Sequence, residues 1–276
     1  MSPLWPDQLG IALFPERLVL ARASGGFRPR LVHKEIVAFA PAEPGVPLWQ
    51  PAVDALAAKA AEGALAKANV NLVLSNRFVR YTMVPWSEAL RSKEEELAFA
   101  RHCFARVHGS EAENWEIKLS SAKPHNPGLA CAVERSLIEA LNVRMSPLGS
   151  RYRSLQPHLM ASFNRWRARL GERPAWLVVA EPGLLCLALL QDGYWQSMHS
   201  VKVDADWISV LPGVLAREEC LVDSKVQCDE VLLFAPDEGQ PLLLEAGKWR
   251  IKELLPTLLP GMAAGVDAPF SIALGA

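Results

Sequence analysis

The chain has 276 residues, half of them hydrophobic, and a formal net charge of −1. That balance excludes a disordered chain and gives no basic excess to recruit nucleic acid. The length suffices for one large core or two medium ones.

From the N-terminus, Met1–Asp7 lacks a basic stretch followed by an apolar run, so no signal segment is expected. Leu9–Leu13 reads as a strand, Phe14-Pro15-Glu16 as a turn and Arg17–Ala23 as a second strand. Ser24-Gly25-Gly26 turns the chain into a third extended stretch, Arg30–Phe39. Pro41–Pro47 is a loop by its punctuation. Val53–Ala68 is an alanine-rich helix that Asn69 and Asn71 help to end. Leu72–Ser75 and Phe78–Val84 are strands. Ser92 and Glu95 form a capping-box pattern, and Leu97, Ala100, Phe104 and Val107 mark one face of the helix that follows. Trp115–Leu119 and Leu129–Val133 are short strands, and Ser136–Val143 is a helix. Leu155, Leu159, Phe163, Trp166 and Leu170 mark a longer amphipathic helix where one lobe would hand over to the next.

The opening pattern then returns. Trp176–Ala180 is a strand, Glu181-Pro182-Gly183 a turn, Leu184–Leu190 a strand, Gln191-Asp192-Gly193 a turn and Tyr194–Val203 a further strand. Pro15 corresponds to Pro182 and Gly26 to Gly193 with one common offset, so the chain carries a duplicated three-strand meander. Such repeats, each followed by helices, build clefts of the actin and sugar-kinase type. Trp207–Glu219 is mostly helical, Glu230–Phe234 a strand and Lys248–Leu255 a helix. The apolar window Ala175–Leu190 is broken by Glu181, Pro182 and Gly183 and is too short to span a bilayer, so it is a buried hairpin.

The order meander, helix, strand, twice over with a connecting helix, resembles the actin-like ATPase superfamily. Within it the chain is most similar to the PilM group of type IV pilus assembly proteins, related to MshI and to the cytoplasmic domain of the type II secretion protein GspL. Leu9–Leu13, the strand pair Leu74–Pro85, the helix start Ser92–Leu97 and the terminal segment Ala268–Gly275 carry the likeness. The resemblance implies an α/β chain of two duplicated RNase H-like lobes with a small inserted subdomain in the first. The first lobe is then residues 1–154, with the insert at about 85–134, and the second lobe is 155–276. It also implies a partner, the cytoplasmic tail of an inner-membrane assembly protein, docked near Arg80, Trp86, Phe99 and Trp115. The expected location is the cytoplasm, at the inner membrane through partners.

Three loops depart from that family. Its enzymes place an acid after the first strand to hold Mg²⁺ through water, and small residues that let backbone N–H groups approach phosphate. Here the first turn is Ala12-Leu13-Phe14-Pro15, with no acid, no glycine and a proline without an N–H. The second, Val179-Ala180-Glu181-Pro182-Gly183, has one acid and another proline. The adenosine loop, Phe234-Ala235-Pro236-Asp237-Glu238-Gly239, lacks paired glycines. No ATP hydrolysis, no cofactor and no metal are expected, which makes the chain a non-catalytic scaffold. The rivals are a divergent ATPase or sugar-kinase-like enzyme, with Glu181 and Asp192 or Asp204 recruited to a metal, and an interaction module in an unrelated complex.

The remaining chemistry is sparse. Five scattered cysteines without a Cys-x-x-Cys pair imply free thiols in a reducing compartment, and six histidines show no metal-ligand spacing. Arg165-Trp166-Arg167-Ala168-Arg169 places Trp166 on the apolar stripe and the arginines on an outer, solvated face. Nine tryptophans exceed the needs of the core, and Trp5, Trp49, Trp86 and Trp115 flank loops or strand ends, where tryptophan serves either as a core edge or as a binding anchor.

Overall fold

A computed structural model describes residues 5–120, 123–171, 173–222, 228–238 and 247–275. Residues 1–4, part of the stretch expected to carry no signal segment, and Gly239 of the third loop lie outside these.

The duplicated meander folds as two sheets of identical topology. In the first, β1 (Asp7–Phe14) and β2 (Arg17–Ala23) form a hairpin and β3 (Leu31–Ala38) continues it antiparallel. The strand β4 (Ala68–Leu74) pairs with β1 in parallel, and β8 (Tyr152–Pro157) with β4, giving the order β3-β2-β1-β4-β8. In the second, β9 (Ala175–Glu181), β10 (Leu184–Gln191), β11 (Tyr194–Lys202), β12 (Glu230–Phe234) and β13 (Arg250–Glu253) repeat that order as β11-β10-β9-β12-β13. The central strands read as nearly continuous apolar runs because helices cover both faces.

On the first sheet, α1 (Gln50–Ala61) and α3 (Arg135–Met145) seat Val53, Leu56, Leu137 and Leu141 against Leu9, Ile11 and Leu72. The opposite face receives the last helix, α6 (Phe270–Leu274), over Ala12, Phe14 and Val19. Only glycine permits that contact, since a Cβ on Gly10 would lie 1.9 Å from the Ala273 carbonyl oxygen. The helix α4 (His158–Trp166) lies between the lobes. Its Leu159, Phe163 and Trp166 join the core of the second, and Ala161 joins that of the first. On the far side of the second sheet, α5 (Trp207–Leu221) packs Leu211 and Leu215 on Val178 and Leu185.

The insert is a three-stranded sheet ordered β5-β7-β6, from β5 (Val79–Val84), β6 (Trp115–Leu119) and β7 (Gly128–Glu134), under α2 (Lys93–His108). The capping box forms as expected: Ser92 Oγ accepts from the Glu95 N–H at 3.2 Å and Glu95 accepts from the Ser92 N–H at 3.3 Å.

Four local readings are corrected. Asn69 and Asn71 lie in β4 rather than ending α1, which stops at Ala61 before Gly63 with φ +81°. The long helix from Leu155 splits, because Leu155 pairs in β8 and Pro157 starts a new helix. Lys248–Leu255 contains the strand β13, held beside β12 by the pairs Arg250–Asp229 and Lys252–Glu230. Arg165 is half-buried and donates to the Ser271 carbonyl at 2.7 Å, capping α6 instead of facing solvent.

The expected lobe boundary after residue 154 falls inside β8, and the insert's sheet begins at Val79, ahead of the expected 85. Asp267, just before α6, is almost wholly buried and takes Lys34 Nζ of β3 at 2.6 Å on both oxygens and the Ala263 N–H at 2.8 Å. Burial pushes its carboxyl up, but Lys34 and the Ala263 N–H outweigh that and hold it below the usual carboxylate value. No described helix is long and apolar enough to cross a membrane.

Candidate functional site

The ends of β4 and β9 and the start of α4 meet between the two lobes, in the cleft of the fold, and the chain's own side chains fill that meeting point. At the end of β9, Glu181 is only 3% exposed. Its carboxylate reaches the end of β4, where Ser75 Oγ donates at 2.5 Å and the Asn76 N–H at 3.0 Å. At the start of α4, His158 Nδ1 meets the same carboxylate at 2.7 Å, so the ring donates from Nδ1. Its other nitrogen has no partner among the described residues, and the ring lies edge-on to Phe14 and Phe234. One carboxylate thus joins β9 of the second lobe to β4 and α4 (Ser75, Asn76, His158).

Asn76 extends the cluster. Its Oδ1 accepts from the Tyr81 hydroxyl at 2.7 Å and from the Leu159 N–H at 2.9 Å. Burial raises the Tyr81 phenol well above its ordinary range, with Cys186, Cys131 and Glu181 adding to the effect, so it stays a donor. Burial also pushes the Cys131 thiol up to about 11 and raises that of Cys186, which leaves neither as a ready nucleophile.

The mouth of the cleft is bridged a second time. Arg17, just after the first turn, donates to both oxygens of Asp237 in the third loop at 2.7 and 2.6 Å, with its guanidinium 4.7 Å above the Phe14 ring. On the second-lobe side a pocket of about 300 Å³ is left, lined by Asp204, Asp237 and Glu238 among others. Of these acids, Asp237 is taken by Arg17, and Glu238 accepts from Trp207 Nε1 at 2.9 Å. Asp192 turns the far end of the β10–β11 hairpin, a full strand away from Glu181. Among the described residues no group of three or more histidine, cysteine or carboxylate side chains is set to hold a metal.

Of the four residues expected at the partner surface, Arg80 and Trp115 line one small hollow of about 50 Å³ with Trp49 and Glu134, while Trp86 and Phe99 do not line it. Trp115 is 9% exposed and packs edge-on to Phe104 inside the insert's core, so it is a core residue. Phe99 is half-buried on α2 against the same core. Trp86 is 38% exposed beyond the end of β5, its ring 4.1 Å from that of His125, beside a hollow of about 140 Å³. Arg80 is exposed at the other end of β5. It lines a groove of about 580 Å³ between the insert and the second lobe, together with Arg77, His108, His199 and Lys202. Neither the Glu181 cluster nor the second-lobe wall of this groove is legible as a site in the sequence. The available signal was a single acid directly following a wholly apolar strand.

Two sheets of one topology, a helix between them and an inserted subdomain in the first define the actin-like ATPase fold. The cytoplasmic domain of EpsL, an inner membrane component of the type II secretion system of Vibrio cholerae, is similar over 98% of this chain and 95% of its own, at TM-score 0.60 and 13% identity. A PilM–PilN type IV pilus biogenesis complex matches over 97% and 96%, at TM-score 0.65 and 15% identity. A Bacteroides thetaiotaomicron protein with an actin-like ATPase fold and unknown function matches over 96% and 95%, at TM-score 0.54 and 14% identity. No family model and no curated protein sequence matches the chain.

Proposed function

We propose that the chain is a non-catalytic scaffold in a type IV pilus or type II secretion assembly, working in the cytoplasm at the inner membrane. It would bind the cytoplasmic tail of a membrane partner. The observation that carries the reading is the occupied cleft: the Glu181 carboxylate sits on the donors of Ser75, Asn76 and His158. A nucleotide phosphate would have to displace it, and would meet Asp204, Asp237 and Glu238 with Arg17 already engaged. The similarity in fold to EpsL and PilM supplies the kind of assembly. The exposed Trp86, beside its hollow of about 140 Å³, and Arg80 at the other end of β5 offer two docking points on the insert for that tail.

Titration with Mg·ATP, read as a thermal shift, tests the empty chemistry. A ligand binding only the folded state at a hundredfold its Kd adds about 2.7 kcal/mol, a shift of several degrees in a chain of this size. No shift is expected, and a clear rise would favour the divergent enzyme. Calorimetric titration with the cytoplasmic tail of an inner-membrane assembly protein encoded beside this chain tests the partner. Trp86→Ala should weaken that binding, and unchanged binding removes Trp86 from the surface.

A further inference from the structure

The first sheet has a cleft end, beside Ser75, and an opposite end, where β1, β4 and β8 begin and the β2–β3 hairpin turns. At that opposite end two aromatic rings stand in water. Phe27, in the hairpin tip, is 92% exposed and Trp5 is 56% exposed, with the ring centres 5.3 Å apart. The tip is closed by its own hydrogen bonds: the Ser24 N–H donates to the Arg30 carbonyl at 2.9 Å and the Arg30 N–H to Ser24 Oγ at 3.1 Å. A Cβ on Gly25 would lie 2.2 Å from the Trp5 carbonyl oxygen, so only glycine lets the Trp5 segment lie against the tip. An exposed apolar group held in place this way marks an interaction site.

The same end of the sheet is cationic. Arg28 and Arg30 follow Phe27 in the tip, Lys67 stands at the turn into β4 and Arg153 near the start of β8, and all four are exposed. None has a carboxylate partner among the described residues, whereas the acids at this end are already engaged. Asp7 takes Arg22 at 3.7 Å and the Gly25 N–H at 3.3 Å, and Glu62 takes Lys59 at 2.9 Å. Beside the start of β3, the Pro260 carbonyl accepts the Leu31 N–H at 3.0 Å, and residues 254–266 around it include no charged side chain. Along the order β3-β2-β1-β4-β8, the cations extend roughly 15–20 Å from the aromatic tip.

We propose that this end of the first lobe binds directly to an anionic phospholipid surface, with Trp5 and Phe27 set into the headgroup boundary and Arg28, Arg30, Lys67 and Arg153 against lipid phosphates. Aromatic rings settle at the boundary between headgroups and acyl chains, and surface lysines and arginines are drawn to an anionic leaflet. One weak anchor gives only marginal, reversible binding, and an apolar anchor joined to a basic patch holds better. A protein interface places its aromatic anchors in packed, desolvated pockets near its centre. Here the rings project from the apex of a hairpin, and the charges beside them come from three separate turns of one sheet end.

The inference rests on the scaffold reading only for the nearness of an inner-membrane surface. The test is co-sedimentation of the whole chain with vesicles of phosphatidylglycerol and phosphatidylethanolamine, against vesicles of phosphatidylcholine alone. The chain should pellet with the anionic vesicles, less so at high salt, and hardly with the neutral ones. Phe27→Ser, and separately Arg28→Glu combined with Arg30→Glu, should each lower the partition by about tenfold or more. Phe27→Trp should keep it, and Val107→Ser, at another exposed apolar position, should leave it unchanged. If the paired reversal fails to fold, Lys67→Glu at its exposed turn carries the charge arm. No pelleting, equal pelleting with phosphatidylcholine, or binding untouched by these changes overturns the proposal. So does a chain that ignores vesicles but binds a single-stranded oligonucleotide or the membrane partner's tail and loses that binding in Phe27→Ser, since the tip then serves nucleic acid or protein. If vesicles fail while the tail binds in a Trp86-dependent way, the lipid contact falls and the scaffold reading stands. Vesicle binding with no tail binding keeps the lipid contact and removes the scaffold reading.

Discussion

In the cleft, the Glu181 carboxylate has three donors from the first lobe and its linking helix; in the groove beside the insert, Arg80 and Lys202 have no ion-pair partner among the described residues. The two regions lie close together, since Asn76 belongs to the cluster of the first and lines the second. A charge removed from water must be matched within the chain, and one left in water need not be. The cleft has therefore used its polar groups on its own cohesion. The groove leaves Arg80 and Lys202 in water.

The sharpest way to break this contrast is Glu181→Ala. Removing one member of a buried, hydrogen-bonded charge cluster costs about 3–5 kcal/mol, so urea unfolding should show the largest loss in the molecule. Glu181→Gln should cost less, since it keeps the acceptor oxygen. Next comes Asp267→Asn, at roughly 1–3 kcal/mol near neutral pH, because Lys34 and the Ala263 N–H lose a charged acceptor. Its sign with pH is set by the depressed carboxyl. The stability that Asp267 contributes is fully present above the ordinary carboxylate value and is lost as pH falls through the lower folded value. The difference between wild type and Asp267→Asn should therefore shrink on acidification below the ordinary range, read from melting at successive pH values.

Arg17 and Asp237 are each partly exposed, so a double-mutant cycle should return a coupling of about 1 kcal/mol or less. Smallest of all, Lys202→Glu should change stability by no more than about 0.5 kcal/mol in chemical denaturation, as expected of an exposed side chain without an ion-pair partner. A larger loss would mean that the groove's charges are structural and would erase the contrast.

The fold was legible because its repeat is written in punctuation. Pro15 and Pro182, then Gly26 and Gly193, mark corresponding turns, and the apolar runs between them have strand length. Legibility failed where pairing overrides local pattern. Ile251, Leu254 and Leu255 have helical spacing, yet a parallel partner in β12 makes Arg250–Glu253 a strand. Leu155 suits the helical stripe, and the proline two residues on divides it. The site was harder to read. Glu181 stood out as the lone acid of a phosphate turn, but its donors lie about a hundred residues away in Ser75 and Asn76, which no local spacing reveals. Trp115 looked like an anchor at a strand end, and only the helix laid over it by tertiary packing makes it core.

The contact between Gly10 and Ala273 also bears on the order in which the molecule is made. The second strand meander, α5, β12 and β13 are all synthesised before α6 exists, yet α6 is what covers Ala12, Phe14 and Val19 on the first sheet. The lobe begun first is thus the lobe completed last, with an apolar face uncovered throughout elongation. Such an interval is when a nascent chain is most exposed to misassembly and most in need of a chaperone.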